Sequence, residues 1–303
     1  MKIGVQKIGT LAGHRDCVYT LEKYQKNTFF SAAGDGLVAE WDLNDPENGK
    51  LIAKLDHSVY ALCYVQERQE LFIGHNLQGI HQIDLLTKKE IASVKITDSN
   101  IFDIQYHQQK IWVACGDGTL IILEAEGLKT IQKIKLSDKS IRTLAINSKK
   151  NEIAAGYSDF CIRVFDLVTF SLKNDWQAHQ NSVFCLTYSP DNQYLLSGSR
   201  DAHLKIWQSE NYVLQQNIVA HLYTINDIFY SPDGKKFATC SKDKSVKIWD
   251  SQTFQLLKVI DKGRYAGHGT SVNRLLWTDF NDWLISCSDD HSVSVWELKI
   301  EES

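Results

Sequence analysis

Residues 240–250 read CSKDKSVKIWD, and 42 residues earlier, at 198–208, the chain reads GSRDAHLKIWQ. The same phrase returns at 287–297 as CSDDHSVSVWE and stands near the start, at 32–42, as AAGDGLVAEWD. An internal period is the first property to extract from a sequence, because it sets the architecture of the whole chain. With the Trp of the phrase as marker, the column runs Trp41, Ile83, Leu123, Phe165, Trp207, Trp249 and Trp296, in steps of 42, 40, 42, 42, 42 and 47 residues. Six residues before the marker stands Asp35, Asp117, Asp159, Asp201, Asp243 or Asp290; the second copy, GHNLQGIHQID, lacks it. About 22 residues before that Asp comes a His in four copies, His14, His179, His221 and His268, with His57 at the same place in the second copy.

Between these markers apolar residues alternate in short runs such as SVFCLTYS, YLLSGS and HLKIWQ, separated by turn sequences such as SPDN at 189–192 and SPDG at 231–234. Period two with a turn every eight to twelve residues predicts four short antiparallel strands per copy. No segment carries a long helical period, so the fold class is all-β.

The His, Asp and Trp-Asp spacing resembles the WD40 signature, and the resemblance extends over residues 2–300. It implies a seven-bladed β-propeller, read here as a single domain over 1–303, in which stacking of neighbouring blades buries the two faces of each sheet. KIGVQKIGTLAG, before His14, matches the outer strand that precedes each later His, whereas the chain ends on SVSVWELKI, a third strand. The N-terminal strand is therefore expected to complete the last blade and remove an exposed sheet edge.

Composition narrows the function. The 303 residues are 43% hydrophobic and 23% charged, with a net charge of −4. That balance does not point to nucleic acid, whose binding rests on clustered Lys and Arg. No run approaches the roughly 18 apolar residues of a membrane span, and the N-terminus lacks the apolar core of a signal peptide. Seven cysteines without a Cys-x-x-Cys pair read as small buried hydrophobes in a reducing, cytoplasmic setting.

Three copies present Ser, His and Asp together: His179, Ser199, Asp201 and Trp207; His221, Ser241, Asp243 and Trp249; His268, Ser288, Asp290 and Trp296. These are the residue types of a hydrolase triad, but they recur three times with one spacing, always with an architectural Trp and without a Gly-x-Ser-x-Gly elbow. The structural reading is a buried chain of hydrogen bonds from indole to Ser to imidazole to Asp. Copy one has Ala33 at the serine place, so its network is expected to be weaker. No Walker loop or His-Glu-x-x-His is present, and neither cofactor nor metal is expected. His75 and His81 read as polar residues of an exposed strand.

The resemblance implies a non-catalytic scaffold that binds a protein or peptide on the top face around the channel. It places recognition side chains just after the first apolar residue of each inner strand, here Tyr19, Tyr60, Phe102, Arg142, Phe184, Asn226 and Asn273, and just before the repeat Asp. The second set reads Gly34, Gly116, Ser158, Arg200, Lys242 and Asp289, with no assignment in copy two. Four rings and a basic arc of Arg142, Arg200 and Lys242 predict a patch for an apolar, acidic segment. The five-residue insertion before His268 brings Lys262, Arg264 and Tyr265 to the same side. A small-ligand binder or enzyme using the channel mouth is the alternative reading.

Overall fold

The computed structural model describes residues 2–301. The expectation of one domain over 1–303 includes Met1, Glu302 and Ser303, which lie outside the described residues. Seven four-stranded antiparallel sheets are arranged as the blades of a propeller. Six blades follow chain order. The inner strand of blade 1 is Val18–Lys23, and those of blades 2 to 6 are Val59–Val65, Ile101–His107, Ile141–Asn147, Val183–Tyr188 and Ile225–Tyr230. Blade 7 begins with Val272–Trp277 and takes its outer strand, Lys2–Ala12, from the other end of the chain. The register runs from Lys2 opposite Glu301 to Ala12 opposite Ser292. The closing strand is where the sequence places it.

Alternation along each strand puts one set of side chains between neighbouring blades. Ile3, Ala238, Ile248, Leu275, Trp277 and Trp296 pack together between blades 6 and 7, and Leu11, Val18, Phe29, Trp41, Leu276 and Val293 between blades 7 and 1. The marker positions are buried whatever residue fills them: Ile83 is 6% exposed, Leu123 and Phe165 are fully covered, and Trp296 is fully covered. The only described helical turn is Lys262–Tyr265 in the long connection before blade 7, capped by Asp261, whose side chain accepts from the Arg264 amide.

Every inner strand carries a β-bulge near its start. Val18 pairs with Ala33 and Thr20 with Ala32, which leaves Tyr19 without an opposite residue. The same shift isolates Tyr60, Phe102, Arg142, Phe184, Asn226 and Asn273. An extra residue in a bulge is released from the pleat and its side chain is re-aimed. The bulge gives a physical reason for one position per blade to face the channel mouth.

Candidate functional site

The polar chain between strands forms, but through a different hydroxyl from the one expected. In blade 5 the Trp207 indole N–H donates to Ser197 Oγ at 2.9 Å, Ser197 Oγ lies 2.8 Å from His179 Nε2, and His179 Nδ1 lies 3.0 Å from Asp201 Oδ2. Blade 6 repeats this with Trp249, Thr239, His221 and Asp243, and blade 7 with Trp296, Ser286, His268 and Asp290. Ser199, Ser241 and Ser288 are not members. Their hydroxyls accept from the backbone N–H of Asp201, Asp243 and Asp290 and brace the turn at the top of the blade. Strand geometry gives the reason. Trp207 lies opposite Leu195, so Ser197 is two residues, about 7 Å, along the strand and Ser199 about 13 Å.

Blade 1 departs from the expectation in the same way. Ser31, not Ala33, takes the hydroxyl place, bonding the Trp41 indole at 2.8 Å and His14 Nε2 at 2.7 Å. Four networks are thus complete; only the His14–Asp35 link, at 3.4 Å, is long. The discriminating signal was in the sequence: four residues before the Asp, copies 1, 5, 6 and 7 have Ser31, Ser197, Thr239 and Ser286, while copies 2 to 4 have Ile73, Val113 and Ala155.

All four hydroxyls are fully covered, so a substrate cannot reach them as it would a hydrolase nucleophile. Burial lowers the pKa of His14, His179 and His221 against the pull of their Asp partners. Burial alone would raise the Asp201 and Asp243 carboxyls, but the His hydrogen bonds and backbone amides outweigh it and hold both well below the usual range. Both shifts have one sign for stability: it is present at neutral pH and lost as pH falls through the His and then the Asp range. Thr239→Val should cost about 2–3 kcal/mol, because a buried indole N–H and an imidazole nitrogen both lose their partner. Ser241→Ala should cost about 1 kcal/mol or less. Denaturant melts of the two variants decide between the assignments, and the reverse order would restore Ser241 to the network.

At the mouth of the channel the bulge residues meet. Tyr19, Tyr60, Phe102, Arg142, Phe184, Asn226 and Asn273, together with Lys242 and Asp289, line a bowl of about 510 Å³. Its rings form a belt: Tyr19 meets Tyr60 edge-on at 4.6 Å, and Tyr60 stacks on Phe102 at 5.7 Å. Arg142 continues the belt, its guanidinium carbon 4.1 Å from the centre of the Phe102 ring and 5.1 Å from that of Phe184. Arg142 Nε donates to Ser158 Oγ at 3.1 Å. No carboxylate among the described residues is ion-paired to it. Burial pushes the guanidinium below its ordinary pKa, with Arg200 adding repulsion, yet an Arg remains charged.

Other members of the expected patch have different duties. Asn226 donates to Ser271 Oγ at 3.0 Å and to the Val272 carbonyl at 2.8 Å, and Asn273 donates to the Val18 carbonyl at 2.9 Å and to Asp289 at 2.7 Å. Their amides tie blade 6 to blade 7 and blade 7 to blade 1. Arg200 is exposed on the same face outside the bowl wall. Arg264 is held by Asp261 at 2.7 Å, so the insertion does not extend the basic arc with a free guanidinium. In copy two the place before the missing Asp falls to Asn76, which accepts from the Ile101 amide at 2.8 Å.

His75 and His81 differ from the expected exposed strand. His75 is 6% exposed, its Nδ1 lies 3.1 Å from His81 Nε2, and His81 Nδ1 lies 2.8 Å from Glu90. Among the described residues no helix is long and apolar enough to cross a membrane.

The sequence profile described as "WD domain, G-beta repeat" matches residues 5–42, 170–208, 212–250 and 260–297, which are the four copies with complete polar networks. Over 211 residues the chain is 24% identical to "Periodic tryptophan protein 2 homolog" of Mus musculus, covering 62% of this chain and 23% of that one. Over 238 residues it is 23% identical to "Striatin homolog" of Dictyostelium discoideum, covering 64% and 28%. The chain thus spans about a quarter of the length of these two relatives. Among solved structures, the "WD40 beta propeller domain of Doa1" superposes with a TM-score of 0.86 over 97% of both chains at 19% identity. With the profile matching about half of the residues and seven blades closing one ring, the chain belongs to the WD40 family.

Proposed function

We propose that the top-face bowl holds a segment of a partner protein, with apolar side chains on Tyr19, Tyr60 and Phe184 and an acidic group drawn to Arg142, Arg200 and Lys242. WD40 propellers in general are rigid, non-catalytic scaffolds for protein partners. What supports a peptide-like ligand here is Arg142, a cation clamped between two rings at the mouth of a bowl, with no carboxylate among the described residues ion-paired to it. A guanidinium fixed by stacking gives up little side-chain entropy when it pairs with an anion. The surrounding rings supply the apolar area that anchors tight interfaces.

The test is capture of partner proteins from native lysate, identified by mass spectrometry, with two variants. Tyr60→Ala, Phe184→Ala and Arg200→Glu combined should reduce recovery of the main partner at least about tenfold, and wild-type recovery should fall as salt rises. Lys149→Glu with Lys235→Glu, in turns between first and second strands at the opposite end of the ring, should leave it unchanged. Loss only in the second variant would move the recognition surface to that other face. Retention in both, with circular dichroism showing folded protein, would move it to the side walls.

A further inference from the structure

We infer that Asp16, Cys17 and His291 form a zinc site across the seam where the ring closes. Their ligating atoms, a carboxylate oxygen, a thiol sulfur and an imidazole nitrogen, lie within 4.8 Å of one another. Two ligands of one tetrahedral zinc stand about 3.5 Å apart, so side-chain shifts of about 1 Å close the set around an ion. Sulfur, nitrogen and oxygen together match zinc, whereas calcium and magnesium take oxygen alone.

The parts come from opposite ends of the chain. Asp16 and Cys17 stand just before the inner strand of blade 1, and His291 stands in the turn before the third strand of blade 7. Blade 7 reaches Cys17 directly: the Cys17 thiol donates to the Asp289 carbonyl at 3.7 Å, a bond given up with the proton when the metal binds. One Asp16 oxygen accepts the Cys17 amide at 2.7 Å, which fixes the carboxylate. Its other oxygen occupies space that exists because residue 34 is glycine: a Cβ there would stand 2.6 Å from it. Among the described residues Asp16 has no ion-pair partner, and Asp289 beside Cys17 adds a second negative charge. Cys17 also lines the bowl, so a three-ligand ion would leave its fourth position to water or to a donor from the bowl side.

Binding exchanges the Cys17 thiol proton for the metal and releases that proton to solvent. An ion held by both blades stabilises the closed ring, because the opened chain separates its ligands.

The test uses the untagged full chain, freed of metal with a chelator and titrated with Co(II) and then Zn(II). The expected result is one equivalent of Co(II) with a thiolate-to-cobalt charge-transfer band, displaced by Zn(II), and a rise in melting temperature of about 4 °C at a hundredfold excess over Kd. Cys17→Ser should abolish the band. His291→Ala and Asp16→Asn should each weaken binding by more than the roughly 10- to 100-fold that loss of an outer partner costs. His81→Ala, which removes the separate His75–His81 pair, should change nothing. Absence of the band in the wild type, or a titration that survives Cys17→Ser and His291→Ala but not His81→Ala, would overturn the assignment.

Discussion

Removal of residues 1–10 should destabilise the ring by on the order of 5 kcal/mol or more, which is the whole stability of many domains. The truncation strips the outer strand from blade 7, including the register pairs from Lys2 opposite Glu301 to Thr10 opposite Ser294. It also removes Ile3, which is 2% exposed, and Lys7, whose ammonium lies 5.4 Å from the centre of the Trp296 ring. The third strand, Ser292–Glu301, then becomes an unpaired edge, and such an edge templates association with other chains. Early melting or aggregation in size-exclusion chromatography is the expected observation. A circular permutant that starts at Gly13 and carries residues 1–12 after Ser303 through a short Gly/Ser linker separates the strand from its connectivity. It should melt within about 3 °C of the parent, since blade 7 is then continuous in sequence. A truncated protein that remains monomeric with the parental melting temperature would show that the strand contributes nothing to closure.

The ring and its closure were legible because both are periodic. A period of about 42 residues survives the loss of individual markers, and the structure shows why blades 2 to 4 fold without theirs. Where Trp is replaced by Ile83, Leu123 or Phe165, the hydroxyl partner is replaced by Ile73, Val113 or Ala155. Removing both partners of a buried hydrogen bond with apolar groups is nearly neutral, whereas removing one is costly. The profile match therefore skips these blades while the packing does not. The seven mouth positions followed from the WD40 resemblance, which implies one such place per copy, whereas the bulge behind them was not legible, since it is a property of strand pairing.

What stayed hidden lies between copies. Ser199, Ser241 and Ser288 recur in three copies, but only the column four residues before the Asp keeps a hydroxyl in copy 1 as well and loses it wherever the marker Trp is lost, and cross-strand register shows why that column is the partner. The fate of Asn226 and Asn273 depends on carbonyls of the next blade. Asp16 and Cys17 lie about 275 residues from His291 in sequence and meet it only because the ring closes.

Arg274→Met should destabilise the protein by about 3 kcal/mol at pH 8, the cost of leaving buried charge unpaired, and by clearly less at pH 5. Arg274 lines the channel below the bowl with Glu22, Asp103 and Asp227 around a cavity of about 370 Å³. Its guanidinium lies 3.6 Å from Asp227. Each carboxylate also accepts a backbone amide of a neighbouring blade: Glu22 from Tyr64 at 3.0 Å, Asp103 from Leu144 at 2.7 Å and Asp227 from Leu275 at 2.9 Å. Burial works against the charged form of Arg274, but Asp227 and Asp103 outweigh it and raise its pKa. Even with that cation, burial pushes Glu22 up to about 7 and Asp227 up to about 6, and raises Asp103.

An acid whose folded pKa is raised contributes stability that is fully present below its unfolded value, near 4, and lost as pH rises through the folded value. The channel therefore favours mild acid, opposite to the His–Asp networks. Taking the difference between variant and parent at each pH cancels the networks and leaves the channel. Without Arg274 the three carboxyls hold protons to still higher pH, so the deficit should shrink steadily from pH 8 to pH 5. Glu22→Gln keeps the acceptor for the Tyr64 amide and removes the charge, so it should stabilise by about 1–3 kcal/mol at pH 8 and by less at pH 5. A deficit for Arg274→Met that is independent of pH would mean that Arg274 acts through its packing and not through its charge.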